Sequence, residues 1–408
     1  MDFQGLVIGF LSFFTALIFV FFLLVRYDLN RPSILKIVML SALGHFVGGV
    51  LYYYYNIHVG ADSGWYFVNA TTTYTGTGYF FALFILGYLK LFLVGDSILG
   101  AFLFFASLGF LGSVFYLLTY KILLDRLSDG YRYFLVDPKI LLFPALLLLC
   151  WPSYFFWSAG LVKDSFAFLS IGIFLFFFAQ RRINIFSLSL LLIASLMGFL
   201  VRPYLFIIIV VAGIIFVLMG SKWNMFAKIG IIVLITCIIA LLMPVLQDYG
   251  RMVHGGGDTI SSYVIRQQTN MSIGTSIPVP TRNPYLIFLF VPYLIFANLF
   301  LPLFIGARNL LGMVGSFENL YLLWLVVFFY KNRKIWSYIK NKIRLAQFFM
   351  LFFLVGMGCL GIMCTNLGLG MREKMMYVPA FLILVMLVYA YKRILVVQYF
   401  LSKQAESR

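Results

Sequence analysis

The sequence predicts an all-α polytopic integral membrane protein, with about 11 transmembrane helices and interfacial or re-entrant helices near 78–94 and 285–306. Three observations predict it. Of 408 residues, 63% are apolar and only 11% are charged, where a soluble domain carries about a quarter charged. So few polar groups cannot cover a water-soluble surface, and disorder, coiled coil and collagen fail for the same reason. Apolar runs of roughly 20 residues, the length that crosses a bilayer, recur along the chain. Lys and Arg collect in clusters between alternate runs, as the positive-inside rule expects.

Taken in order, the runs lie at 5–25, 37–55, 98–120, 140–157, 164–180, 185–200, 204–220, 229–246, 315–330, 345–364 and 375–391. The first begins almost at the start of the sequence without a basic n-region or a small-residue cleavage site, so it reads as a retained helix rather than a signal peptide. Basic clusters follow at Arg26/Arg31/Lys36, Lys121/Arg126/Arg132/Lys139, Arg181/Arg182, Lys222/Lys228, Lys331 to Arg344 and Lys392/Arg393. If these are all cytoplasmic, the N-terminus is outside and the C-terminus inside. The stretches 78–94 and 285–306 then cannot each be one further span, which makes them re-entrant or interfacial. Residues 1–408 form one integral membrane domain without evident repeats. Its two long outer segments, 56–97 and 247–315, form the face expected to carry function.

The net charge of +17 therefore reports topology rather than nucleic acid. On this topology only nine of the 30 Lys and Arg remain outside: Lys90, Lys163, Arg202, Arg251, Arg266, Arg282, Arg308, Arg372 and Lys374. The cytoplasmic loops are too short for a nucleotide-binding domain, and no GxxxxGK[ST] sequence occurs, so ATP-driven chemistry within the chain is not expected. Cys150, Cys237, Cys359 and Cys364 all lie in apolar runs and read as buried small hydrophobes. The triplets Asn69-Ala70-Thr71 and Asn270-Met271-Ser272 match glycosylation acceptors, a pattern common by chance.

Polar groups near membrane depth are costly and mark candidate sites. The first is Gly60-Ala61-Asp62-Ser63-Gly64-Trp65-Tyr66, which follows an aromatic belt at Tyr52–Tyr55. Asp62 suits a general base or a metal ligand, or else a cap for the short helix after it. The aromatics suit stacking on sugar faces. The second is Trp151 to Asp164, where Pro152 and Gly160 break the apolar run and Lys163-Asp164 sits at the turn. Such breaks are tolerated where backbone lines a cavity; the alternative is a capped turn. The third is the set of outer arginines: Arg202 beside Tyr204, then Arg251, Arg266, Arg282, Arg308 and Arg372. A guanidinium grips phosphate oxygens bidentately at any working pH, so the set predicts an outward-facing phosphate or pyrophosphate site. Glu318, a rare carboxylate at the edge of an apolar run, suits a base or the salt partner of an arginine. His45 reads as a satisfied core group. His254 lies in a Gly-rich loop.

Gly60-x-Asp62-x-x-x-Tyr66 and Arg372-x-x-x-x-Tyr377 resemble the Wzy/EpsG-like bacterial polysaccharide polymerases. Pro152-Ser153…Trp157-Ser158-x-Gly160-x-x-Lys163-Asp164 and Arg282-Asn283-Pro284 are similar to membrane proteins of exopolysaccharide and O-antigen loci. The likeness covers most of the chain as topology and short patches as motif. It implies a GT-C-type glycosyltransferase of the bacterial inner (cytoplasmic) membrane that polymerises undecaprenyl-diphosphate-linked oligosaccharide repeat units at the periplasmic face. The arginines, with Lys163, Asp164 and Tyr204, would bind the pyrophosphate. Asp62 or Glu318 would deprotonate the acceptor hydroxyl. No cofactor is required on this reading. The partners implied are lipid-linked glycans, the bilayer and a chain-length regulator, with no nucleic acid. Two alternatives stay open: a transferase using a polyprenyl-phosphate sugar, where Asp62 can hold a divalent metal, and a lipid-linked sugar transporter or flippase.

Overall fold

The computed structural model describes residues 2–59, 62–182, 184–220, 230, 277, 289–304, 310–364 and 367–406. Every regular element among them is helical, with no strand. In chain order the helices are α1 (Phe3–Arg26), α2 (Pro32–Val59), α3 (Asp62–Val68), α4 (Tyr79–Leu89), α5 (Ile98–Leu127), α6 (Lys139–Leu149), α7 (Pro152–Trp157), α8 (Lys163–Phe178), α9 (Ile185–Val201), α10 (Pro203–Gly220), α11 (Val291–Phe300), α12 (Leu310–Lys331), α13 (Arg333–Lys342), α14 (Leu345–Met363), α15 (Leu367–Lys374) and α16 (Val378–Glu406).

Seven of these, α1, α2, α5, α10, α12, α14 and α16, are long and apolar enough to cross a membrane. Their surface agrees with a lipid environment. Phe10, Phe14 and Phe22 of α1 are each about two-thirds exposed, a patch that a water-soluble monomer does not tolerate. The protein is thus a helical membrane protein. The apolar stretch expected at 140–157 is not one helix. It stops at Leu149 and restarts at Pro152, because proline lacks an N–H and pushes the preceding Trp151 out of helical geometry. The runs at 164–180 and 185–200 give helices of 16 and 17 residues. The run at 229–246 lies outside the described residues, apart from Gly230. The stretch 78–94 is α4 followed by a five-residue π-helical turn, and the described part of 285–306 holds the ten-residue α11.

The chain divides into two compact units: residues 1–201, 325–346 and 378–408, and residues 202–324 and 347–377. In the first unit α5 is the central helix. It is apolar on all sides and buried along most of its length, as a helix surrounded by other helices must be. Helices α1, α2, α8, α16 and α6 pack on it, and α9 packs on α8. Small residues permit the close approaches. A Cβ on Gly172 of α8 would stand 2.8 Å from the carbonyl of Gly112 in α5. On α2, Gly44 and Gly48 form a GxxxG step that receives α7, and a Cβ on Gly48 would stand 1.9 Å from the Phe155 carbonyl oxygen. Gly48→Ala is expected to destabilise the protein by about 1–3 kcal/mol, because backbone cannot give way as a side-chain tip can. The thermal midpoint of the purified protein measures this, and an unchanged midpoint would refute the close approach.

Five of the basic clusters meet at one end of this unit. Arg132 pairs with Asp28 at 2.7 Å and Arg31 lies over the Phe134 ring. Lys342 pairs with Asp129 at 2.7 Å and Arg393 with Asp137 at 2.6 Å. Gln180, next to Arg181/Arg182, donates to the Tyr27 hydroxyl at 3.2 Å. The helices linking these clusters therefore return the chain to the same end each time. The cluster at Lys222/Lys228 lies outside the described residues.

Candidate functional sites at two buried polar clusters

In the first unit two motifs far apart in sequence come together. At the end of α2 the Asn56 Oδ1 accepts from the Gly64 N–H at 3.0 Å, which ties the chain into α3. A Cβ on Gly64 would stand 2.8 Å from the Asn56 amide nitrogen, so a larger residue there would displace that side chain. Helix α3 presents Tyr66, whose hydroxyl accepts from Lys163 Nζ at 3.1 Å. The ammonium also lies 4.9 Å from the Tyr66 ring centre and 5.6 Å from that of Tyr79. Trp65 packs on Tyr79 at 5.2 Å and is itself about half exposed. The result is a buried cation walled by aromatic rings, an arrangement in which cation–π attraction is strengthened by desolvation.

The backbone that delivers Lys163 is strained. Val162 has φ +59° and ψ −71°, and the Lys163 N–H donates to the Leu161 carbonyl at 2.8 Å. This is a γ-turn of the rare positive-φ kind, centred on a β-branched residue that strongly disfavours it. The turn is clamped from both sides. Ser165 Oγ donates to the Gly160 carbonyl at 2.8 Å, and Gly160 is pressed so close to Asp164 that a Cβ would stand 2.6 Å from Oδ2. Lys163 and Asp164, the first two residues of α8, are both buried. Strain held in place by its surroundings clusters at functional sites. Asp62 opens α3; its side chain lies outside the described residues.

The second unit holds a second buried cluster. Arg202, at the corner between α9 and α10, pairs with Glu373 of α15 and also donates to the Tyr204 hydroxyl. Tyr204 in turn donates to the other Glu373 oxygen at 2.5 Å. The three groups close a ring in which guanidinium and phenol both serve one carboxylate. Next along α15, Lys374 donates to the Asn319 amide oxygen and to the Leu299 carbonyl at 3.1 Å. Asn319 donates to the Pro302 carbonyl at 3.0 Å, and Asn298 to the Cys364 carbonyl at 3.2 Å. Burial pushes the Lys374 ammonium down to about 8, against the opposing charge of Glu318.

The sign of that shift gives a test. The folded pKa of about 8 lies below the free-lysine value of about 10.4. Between the two, the unfolded chain holds a proton that the folded chain has released, so the stability contributed by this group rises with pH across that window. The thermal midpoint of wild type relative to Lys374→Met is expected to rise over that range. A flat difference would refute the shift.

The predicted site residues are thus distributed as follows. Lys163 and Asp164 lie in the first cluster. Arg202 and Tyr204 lie in the second, and Glu318 on α12 acts on Lys374 there. Arg372 is half-buried on α15. Arg251, Arg266, Arg282 and Arg308 lie outside the described residues, as does His254. Tyr377 is a packing anchor, buried against Phe352 and pressed onto Gly356. Among the described residues His45 is only half satisfied: Nδ1 pairs with the Ser41 carbonyl at 2.9 Å while buried Nε2 has no hydrogen-bond partner. Among the described residues Cys150, Cys359 and Cys364 form no disulfide and are half-buried or buried; Cys237 is outside the described residues.

Glu373 was not visible as a site residue in the sequence. Its signal was an acid between two bases, Arg372-Glu373-Lys374, inside an otherwise apolar stretch. Asn298 and Asn319, single amides in apolar runs, carried the same kind of signal. Among the described residues, no three His, Cys, Asp or Glu side chains stand close enough to hold a metal ion together. Compared with known protein families, curated proteins and solved structures, the chain shows no match.

Proposed function

We propose that the protein is a membrane glycosyltransferase that polymerises undecaprenyl-diphosphate-linked repeat units at the outer face of the bacterial inner membrane. The observation that supports this reading is the meeting of Lys163 with Tyr66. Tyr66 belongs to a patch that resembles polysaccharide polymerases, Lys163 to one similar to membrane proteins of exopolysaccharide and O-antigen loci, and the two converge on a cation lined by aromatic rings. A cation beside aromatic faces matches a substrate that joins an anionic diphosphate to a sugar. The ammonium serves the diphosphate as charge builds on it, while Trp65, Tyr66 and Tyr79 offer faces for sugar rings. Asp62 remains our candidate for the acceptor base. Arg202 is balanced by Glu373 in this structure, so its service to a phosphate requires exchange of that carboxylate.

On this reading the basic end of the first unit is cytoplasmic and α3 lies on the outer side. The test is a reaction of the purified protein with lipid-linked repeat units. A ladder of products spaced by whole repeats is expected. Transfer of single sugars from a polyprenyl-monophosphate donor, with no ladder, would overturn the proposal.

A further inference from the structure

We propose that the corner between α12 and α13 is a binding surface for anionic phospholipid headgroups. The segment 331–344 carries six basic residues and no acid. Helix α13 has its apolar residues on one side, and that side is already occupied. Ile339 and Ile343 are buried, Trp336 packs on Phe329 at 5.3 Å, and Tyr338 stacks on Tyr391 of α16 at 4.7 Å. The helix therefore cannot enter a bilayer by its apolar face, as a free amphipathic helix does. What it presents outward is charge.

Among the described residues, three of the charges at this corner stand without a carboxylate, in contrast to four others at the same end of the unit. At the same end of the unit, Arg132, Lys121, Lys342 and Arg393 each have a carboxylate partner within 2.7 Å. Lys331, Arg333 and Lys334 are exposed, and among the described residues none of the three pairs with a carboxylate. Arg333 leans over the Tyr330 ring at 5.1 Å, and Tyr330 is itself about two-thirds exposed. Tyrosine at the end of an apolar helix marks the headgroup level. Three free cations at that level, directly after a helix apolar enough to span, fit lipid phosphates by charge and by position. An acidic protein segment would not need the exposed tyrosine. Because no apolar surface enters the bilayer, the attraction is electrostatic, falls with salt and does not depend on curvature.

The experiment uses the full chain in vesicles of equimolar phosphatidylcholine and phosphatidylglycerol, with retained lipid counted after extraction by native mass spectrometry. Wild type is expected to retain phosphatidylglycerol over phosphatidylcholine by about fivefold or more at low salt. The triple variant Lys331→Gln/Arg333→Gln/Lys334→Gln should fall to near parity while keeping its thermal midpoint in phosphatidylcholine. Lys342→Gln, which breaks the pair with Asp129, should keep the selectivity. A salt titration of wild type serves as a readout that needs no variant to fold, and the preference should decline steadily. Equal retention of both lipids by wild type would overturn the proposal, as would a salt-insensitive preference or full selectivity in the triple variant.

Discussion

Glu373→Ala is expected to destabilise the second unit by about 3–5 kcal/mol, the cost of leaving a buried charge without its partner. Arg202→Ala should cost a similar amount. Both side chains are largely buried, 5% and 12% exposed, so water cannot take over from the missing group. The decisive measurement is the double variant Arg202→Met/Glu373→Leu. Removing both charges at once leaves no unpaired charge, and apolar replacements of similar volume often match or exceed a buried ion pair. The double variant should therefore be more stable than either single one. Tyr204→Phe removes the hydrogen bond to the Glu373 carboxylate together with the one accepted from Arg202, and should cost about 1.5–3 kcal/mol. Thermal unfolding monitored in one detergent compares all four. Strictly additive losses, or single variants as stable as wild type, would refute the buried ring of Arg202, Tyr204 and Glu373.

Lys163→Met should lower chain extension by about 100-fold or more, the scale on which a single group that stabilises developing charge acts. Methionine keeps much of the aliphatic stem beside Tyr66 and Tyr79 and removes only the charge. A structural explanation has to be separated from this one, since Lys163 adjoins buried Asp164 and its loss can leave that carboxylate uncompensated. Lys163→Met/Asp164→Asn removes both charges. If Lys163 served only to balance Asp164, the double variant recovers activity together with its thermal midpoint. If Lys163 acts on the diphosphate, the midpoint recovers and the activity does not. Tyr66→Phe keeps the ring and deletes the hydrogen bond to Nζ, and should leave activity between wild type and Lys163→Met. Full activity in Lys163→Met would remove Lys163 from the mechanism.

Much of the helical framework was legible from local pattern alone. Runs near 5–25, 37–55, 98–120, 204–220, 315–330, 345–364 and 375–391 each correspond to a helix able to span, because length and apolarity are local properties. The lysine and arginine clusters were also legible, and five of them gather at one end of the first unit. What local pattern misjudged was continuity. The run at 140–157 is apolar throughout, yet Pro152 splits it into α6 and α7.

The candidate sites were legible as residues and not as partnerships. Lys163, Asp164, Arg202 and Tyr204 stood out because ionisable and polar groups are rare in this chain. That Lys163 meets Tyr66, 97 positions away, and that Arg202 meets Glu373, 171 positions away, depends on which helices pack together. The GxxxG step at Gly44 and Gly48 shows the same limit: the motif is plain in the sequence, but only the fold reveals that α7 fills it.

By itself, then, the sequence determined the solvent of this protein, the places where helices form and the few residues costly enough to need a reason. Those follow from composition and short-range periodicity, which each segment carries alone. The tertiary structure decided which charges are neutralised, which stand exposed, and how a strained turn at Val162 sets a lysine among aromatic rings. Those are set by pairings across long stretches of chain, where burial turns a neighbour's identity into the dominant energy.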